Sequence, residues 1–139
     1  MTEQTLAIIK PDGVARNLIG EIIRRIESQG LAVKALKMIR LSKKQVEGFY
    51  AVHREEAFFD SLTTFMSEGP VVLMILSGEE AISSWRNLMG ATDPAKAAPE
   101  TIRKDFGISI ERNTTHGSDA AATAAFETAY FFSELEACN

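Results

Sequence analysis

The sequence predicts an α+β sandwich of ferredoxin-like type, a βαββαβ core with helices packed on a four-stranded antiparallel sheet and one inserted loop. Three observations predict it. TLAIIK (5–10) and VVLMIL (71–76) are short, continuous apolar runs with the length of buried strands. Between such runs, hydrophobic residues recur every three or four positions, the period of a helix with one buried face. Gly or Pro punctuates many junctions, and no linker, internal repeat or low-complexity block interrupts them, so residues 1–139 read as a single domain.

The first run ends at KPDG (10–13), a turn in which Pro sets φ and Gly permits a positive one. Leu18, Ile22 and Ile26, with Ile19 and Ile23 beside them, form the stripe of a helix that Gly30 stops. In LAVKALKMIRL (31–41), Leu31, Val33 and Ala35 alternate before Leu36 and Met38 take the other parity. An extra residue swaps the faces of a strand, so the spacing predicts a bulge near residue 35. Ser42 and Gln45 form a capping box for a helix carrying Val46, Phe49 and Tyr50. Phe58, Phe59, Leu62, Phe65 and Met66 mark the next helix, broken by Gly69-Pro70. After VVLMIL, SGEE (77–80) reads as another capping box, ahead of a helix face of Ile82, Trp85, Leu88 and Met89. Gly90 to Pro99 is a loop, ETIRKDF (100–106) a short helical turn and ISI (108–110) the final strand. SDAAATAAFETAYFF (118–132) is the last helix, with Ser118 at its N-cap and Asp119 in its first turn.

Composition limits the partners. The net charge of −4 argues against nucleic acid, which needs a broad basic surface. No segment approaches the ~18 consecutive apolar residues of a membrane span. The N-terminus lacks the pattern of a secretory signal, and a lone Cys138 allows no internal disulfide, so a cytoplasmic protein is expected. An acidic protein still binds a small anion where a few cations converge.

NTTHGSD (113–119) places His116 in a small, polar stretch with no apolar face to join. Gly117 and Ser118 permit close approach to the ring, and a neutral imidazole is a nucleophile that needs no base to strip it. Glu127, eleven residues on, reaches the ring if the loop folds back. Lys10 stands at a strand end, and Arg86 and Arg103 flank the long loop. Taken singly, Lys10, Arg86 and Arg103 read as solvated charges, Phe58 and Leu62 as core, and Asn113 as a turn residue. No GxxxxGK[ST] motif is present, which excludes a P-loop.

TLAIIKPDGV, GFYAVH, FFDSL, EGPVV, SGEEA, WRNLMGATDPA, TIRKDF and RNTTHGSD occur in the order and spacing that resemble the nucleoside diphosphate kinase family, from about Thr5 to Phe132. NTTHGSD is the most specific of them. The resemblance implies transfer of the γ-phosphoryl group of a nucleoside triphosphate, such as ATP, to a nucleoside diphosphate through a phosphohistidine at His116. It implies that Glu127 and Ser118 orient the imidazole. Lys10, Tyr50 and Asn113 would then contact phosphate or ribose hydroxyls, and Arg86, Thr92 and Arg103 hold the diphosphate. Phe58 would stack on the base, with Leu62 and Ile110 lining the slot. Mg²⁺ is expected to arrive on the nucleotide phosphates with no direct protein ligand. Partners are expected to be nucleoside tri- and diphosphates and further copies of the chain, in tetramers or hexamers built from dimers.

The sequence departs from the family's usual residues at Ala57 (commonly Pro), Asp93 (commonly Asn), Glu100 (commonly Gly) and Trp85 (commonly smaller or polar). Asp93 and Glu100 add negative charge near the expected phosphate site. Together with Ala57, they motivate a second reading, a catalytically weak nucleotide-binding or interaction module. A ferredoxin-like RNA-binding domain is a third, but it needs exposed aromatics on a basic sheet, which the strands lack. His53, in the charged stretch HREE, reads as a surface residue, as do Lys104 and Arg112.

Overall fold

The computed structural model describes residues 2–138. Strand β1 spans Glu3–Ile9, β2 Ala32–Ile39, β3 Val71–Gly78 and β4 Thr115–Gly117. Helix α1 spans Pro11–Ala15, α2 Ile19–Ser28, α3 Lys43–Phe49, α4 Phe59–Ser67, α5 Ala81–Met89, α6 Ile102–Phe106 and α7 Ala121–Phe131. The strands form one antiparallel sheet in the order β2-β3-β1-β4, the expected ferredoxin-like arrangement.

Both faces of the sheet are covered, which is why its central strands read as continuous apolar runs. Leu6 and Ile8 of β1 point to one face, with Leu73 and Ile75 of β3, and pack with Phe49, Phe65 and Phe131 from α3, α4 and α7. Ala7 and Ile9 point to the other, with Val72 and Met74, against Ile22 and Ile26 of α2 and Trp85 of α5. Each fully buried Ile or Leu contributes roughly 1.5–3 kcal/mol relative to exposure. The register of β2 against β3 slips between Val33 and Ala35, the bulge that the parity swap predicts. Ser42 and Gln45 exchange both bonds of the capping box. Gly30 follows α2 at φ +83°, a conformation glycine adopts without penalty.

Four local expectations are corrected. KPDG is more than a turn: Pro11 begins α1, where its missing N–H costs nothing, so two short helices precede β2. SGEE caps nothing; its first residues extend β3, and Glu80 at the α5 N-cap makes no side-chain bond. ISI is a loop, with Ile108 and Ile110 59% and 61% exposed, because the free edge of β1 is taken by Thr115–Gly117 instead. The α7 N-cap is Ala120, and Asp119 precedes the helix. Thr123 Oγ1 accepts the Ala120 N–H at 3.0 Å, leaving Ser118 free for other work.

Candidate active site

Strand β4 sets the histidine. His116 lies opposite Ile8 across the ladder, on the face that α3 and α7 cover. Its ring meets Phe49 edge-on at 5.3 Å between centroids and Tyr50 at 6.1 Å. Helix α7 brings Glu127 within 3.0 Å of the imidazole, Nε2 to Oε1. Ser118 Oγ donates to the same Glu127 oxygen at 2.8 Å and accepts the Leu6 N–H at 3.2 Å. A carboxylate only accepts, so it draws the imidazole hydrogen to Nε2 and leaves Nδ1 with a free lone pair. Among the described residues Nδ1 makes no hydrogen bond. Burial pushes the His116 pKa below its ordinary value; Glu127 opposes that shift, and the fields of Lys10 and Arg103 reinforce it.

The cations converge on this ring. Lys10 Nζ, at the end of β1, donates to Asn113 Oδ1 at 2.7 Å, and Asn113 Nδ2 donates to Thr92 O at 3.0 Å. Arg103, at the start of α6, donates to Gly90 O at 3.1 Å and Thr115 O at 2.8 Å. Its Nε is buried without a partner. Burial, then the neighbouring Arg103 charge, lowers the Lys10 pKa to about 7. Burial, then Arg86, lowers that of Arg103 to about 10. Among the described residues no carboxylate forms an ion pair with Lys10, Arg86 or Arg103, although Arg16, Arg24, Arg25 and Arg112 all have one. Asp12 and Glu111 act on Lys10 only through space, so the three cations meet without a direct ion pair among the described residues.

Lys10, Tyr50, Phe58, Leu62, Arg86, Thr92, Arg103, Ile110, Asn113, His116 and Glu127 line one cavity of about 570 Å³. Ser118 is fully buried behind Glu127 and does not reach the cavity. Phe58 stands 46% exposed, with Leu62 and Ile110 on the same cavity wall. The sequence reading missed Phe49, Val52, His53, Glu111, Asp119 and Thr123, which also line it. His53 is exposed, as expected, and its ring lies 5.6 Å from Phe58 at the cavity rim. The 3₁₀ turn over Ala51–His53 continues the Phe49-Tyr50 end of α3, and no periodicity marks such a turn in the sequence. Glu111 is held by Ser61 Oγ at 3.0 Å.

Ala57, Asp93 and Glu100 all lie outside the cavity lining. Asp93 Oδ1 accepts the Ala95 N–H at 3.0 Å, capping the short turn Pro94–Lys96. Glu100 has φ +70°, a conformation that favours glycine, and lines a separate cavity of about 290 Å³ with Arg25 and Asp105. Thr114 has φ +76°, rare for a β-branched residue. Its hydroxyl donates to Asp12 Oδ2 at 3.0 Å and its carbonyl accepts Lys10 N–H at 2.8 Å. That kink directs Asn113 toward Lys10 before the chain enters β4. Among the described residues no three His, Cys, Asp or Glu side chains gather to hold a metal ion. No helix among them is long and apolar enough to cross a membrane.

Comparison with known proteins gives the same answer as the motifs. The family model described as nucleoside diphosphate kinase matches residues 3–137. A nucleoside diphosphate kinase of Desulfosudis oleivorans is 62% identical over 134 residues, 96% of each chain. The crystal structure of the Aquifex aeolicus nucleoside diphosphate kinase superposes with a TM-score of 0.96 at 42% identity, covering 99% of both chains. The halophilic enzyme of Halobacterium salinarum, solved in complex with CDP, has a TM-score of 0.97 at 40% identity, covering 100% of this chain and 93% of its own. With its ordered motifs, its sheet and its relatives in agreement, the chain belongs to the nucleoside diphosphate kinase family.

Proposed function

We propose that this kinase moves the γ-phosphoryl group of ATP or another nucleoside triphosphate to a nucleoside diphosphate in two half-reactions, with His116 as carrier. The observation that carries the reading is the meeting of three unpaired cations and one oriented imidazole in a single cavity. In the first half-reaction the Nδ1 lone pair attacks the γ-phosphorus. The new P–N bond forms as the bond to the bridging β,γ-oxygen breaks, and that oxygen leaves with its electron pair on the diphosphate. In the second, a terminal β-phosphate oxygen of the incoming diphosphate attacks the same phosphorus, and the P–N bond returns its pair to Nδ1. No proton needs to leave Nδ1, because Glu127 keeps the hydrogen on Nε2 and stabilises the positive ring that forms.

The remaining residues bind and stabilise. Phosphoryl transfer spreads charge over the equatorial oxygens, so positioned cations account for most of the catalysis. Arg86 and Arg103, with Thr92, grip the diphosphate, Arg being suited to a bidentate contact. Lys10 faces the moving group, while Tyr50 and Asn113 reach phosphate or ribose hydroxyls. Phe58 offers an aromatic face that any base can cover, with Leu62 and Ile110 beside it, which supports broad base tolerance. The substrate is the Mg²⁺ complex of the nucleotide, whose metal neutralises phosphate charge. Ala57, Asp93 and Glu100 are not among the cavity-lining residues, which supports turnover over the weak-binding alternative. Assembly into dimer-based tetramers or hexamers is supported by β2, an edge strand that exposes Leu36 and Met38 by 54% and 52%. A cytoplasmic location suits a metabolite shared by many reactions.

Native mass spectrometry before and after Mg-ATP tests both parts. One added phosphoryl group per chain, in an assembly of four or six chains, is expected. A protein that gains no phosphoryl group while binding nucleotide would overturn the reaction.

A second result follows from Lys10. With a pKa of about 7 in the free protein, it is only partly charged near neutrality. A bound phosphate favours the ammonium, so binding draws a proton from solution. Titration calorimetry near pH 8 in buffers of different ionisation enthalpy should give a buffer-dependent heat corresponding to uptake of a proton. A heat that does not change with buffer would rule this out.

A further inference from the structure

We propose that Trp85 is a positioning residue for phosphoryl transfer, its indole N–H pinning the main chain of His116 from the far side of the sheet. The inference rests on the proposed role of His116 and adds a residue that the sequence marks only as a departure from the family's usual pattern.

Trp85 is the only tryptophan of the chain and is fully buried on α5. A buried indole N–H needs a partner, and this one donates to the carbonyl of His116 at 3.0 Å. That carbonyl has another partner. Lys10 N–H donates to Thr114 O, and Ser118 N–H to Leu6 O. Hydrogen-bonded pairs alternate along an antiparallel ladder, so Ile8 and His116, midway between them, form such a pair. The His116 carbonyl therefore accepts one bond from β1 and one from Trp85, which uses both lone pairs.

The second bond matters because of where β4 lies. It is an edge strand of three residues, with β1 as its one neighbouring strand among the described residues. Such a strand has little of its own to resist sliding or twisting. The imidazole projects from the face that α3 and α7 cover, while Trp85 belongs to the core of the opposite face. The ring is thus held at Nε2 from one side and its main chain from the other. Gly117 makes the approach possible: a Cβ there would stand 2.5 Å from Trp85 Cδ1 and 2.7 Å from Nε1. The next residue of α5, Arg86, lines the nucleotide cavity. One helical step joins a phosphate-facing cation to the back of the nucleophile.

Loss of one hydrogen bond that fixes an attacking atom should slow transfer by about five- to tenfold, with nucleotide affinity unchanged. The test is single-turnover phosphorylation of Trp85→Phe by Mg-ATP, alongside nucleotide binding and thermal melting. Phe is smaller than Trp, so a second variant carries benzothienylalanine at position 85, which keeps the bicyclic shape and lacks the N–H. Slowed transfer in both variants, with unchanged nucleotide dissociation constants and a wild-type melting temperature in the benzothienyl form, is expected. In the unmodified enzyme, emission from this single indole should change on phosphorylation, persist after nucleotide is removed, and be absent from His116→Ala. Wild-type rates in the benzothienyl variant would overturn the proposal, as would a loss seen only as weaker nucleotide binding. If the wild-type protein takes no phosphate, the role of His116 fails and this inference falls with it. If the wild type is phosphorylated and both variants match it, only the role of Trp85 fails.

Discussion

His116→Ala should take no phosphate from Mg-ATP and lose about 10⁴–10⁶ in turnover, the scale on which removal of a covalent nucleophile acts. Glu127 and Ser118 cannot stand in for it, since they keep their mutual bond but neither presents a free nitrogen to the phosphorus. The fold should survive. Ser118 still joins Leu6 to Glu127, and the ring's losses are the Glu127 bond and edge contacts with Phe49 and Tyr50. The pH dependence gives a second signature. Burial holds the His116 pKa below 6.5, so the wild-type transfer rate should stay level as pH falls through 6.5 and drop only below it. Stability has the same sign. Below 6.5 the unfolded chain takes up a proton that the folded chain still refuses, so stability falls until the folded pKa is passed. The alanine variant should lose that part of the slope. Phosphate retained on the variant, measured by intact mass, would move the nucleophile elsewhere.

Lys10→Met should lose about 10²–10³ in transfer rate, the effect of removing one preorganised charge from a developing anion, yet show no loss of thermal stability near neutral pH. Methionine keeps much of the length and removes the ammonium. Burial has already lowered that ammonium's pKa to about 7, which measures how costly the charge is in the folded protein. Against this, Asn113 Oδ1 loses its 2.7 Å partner, a cost of roughly 1–3 kcal/mol if no water replaces it. The pH dependence separates the two effects. Wild-type stability should rise between about pH 7 and 10.5, where the folded chain releases a proton that the unfolded chain still holds. The methionine variant lacks that rise, so its relative advantage is greatest below pH 7 and closes toward 10.5. A melting temperature below wild type throughout that range, or a transfer rate near wild type, would reject this account of Lys10.

The sheet was readable where hydrophobic spacing alone decides structure. The β1 and β3 runs, the α2 stripe and the parity swap at Ala35 are short-range patterns, and each lies where its spacing places it. The failures share a cause. ISI has the alternation of a strand, but a strand also needs an edge, and Thr115–Gly117 had taken it. Ser118 has the chemistry of an N-cap, but the part-buried Glu127 carboxylate takes its hydroxyl instead. The site divides in the same way. The residues that the ordered motifs single out, Ser118 apart, line one cavity. His53 and Glu111 were not legible as cavity residues, because their place there is set by a 3₁₀ turn and a loop without periodicity. Nor could the sequence show that Asp93 and Glu100 turn away from the cavity. That follows from a turn cap at Asp93 and a left-handed backbone at Glu100.

The relay behind the imidazole joins residues from opposite ends of the chain: Leu6 and Ser118 are 112 positions apart, Lys10 and Asn113 103. A growing polypeptide that has not yet emitted its final helix owns the cations but no oriented ring to use them. On the proposed reading, an oriented ring is therefore available only once Asn113 to Phe131 have folded onto β1.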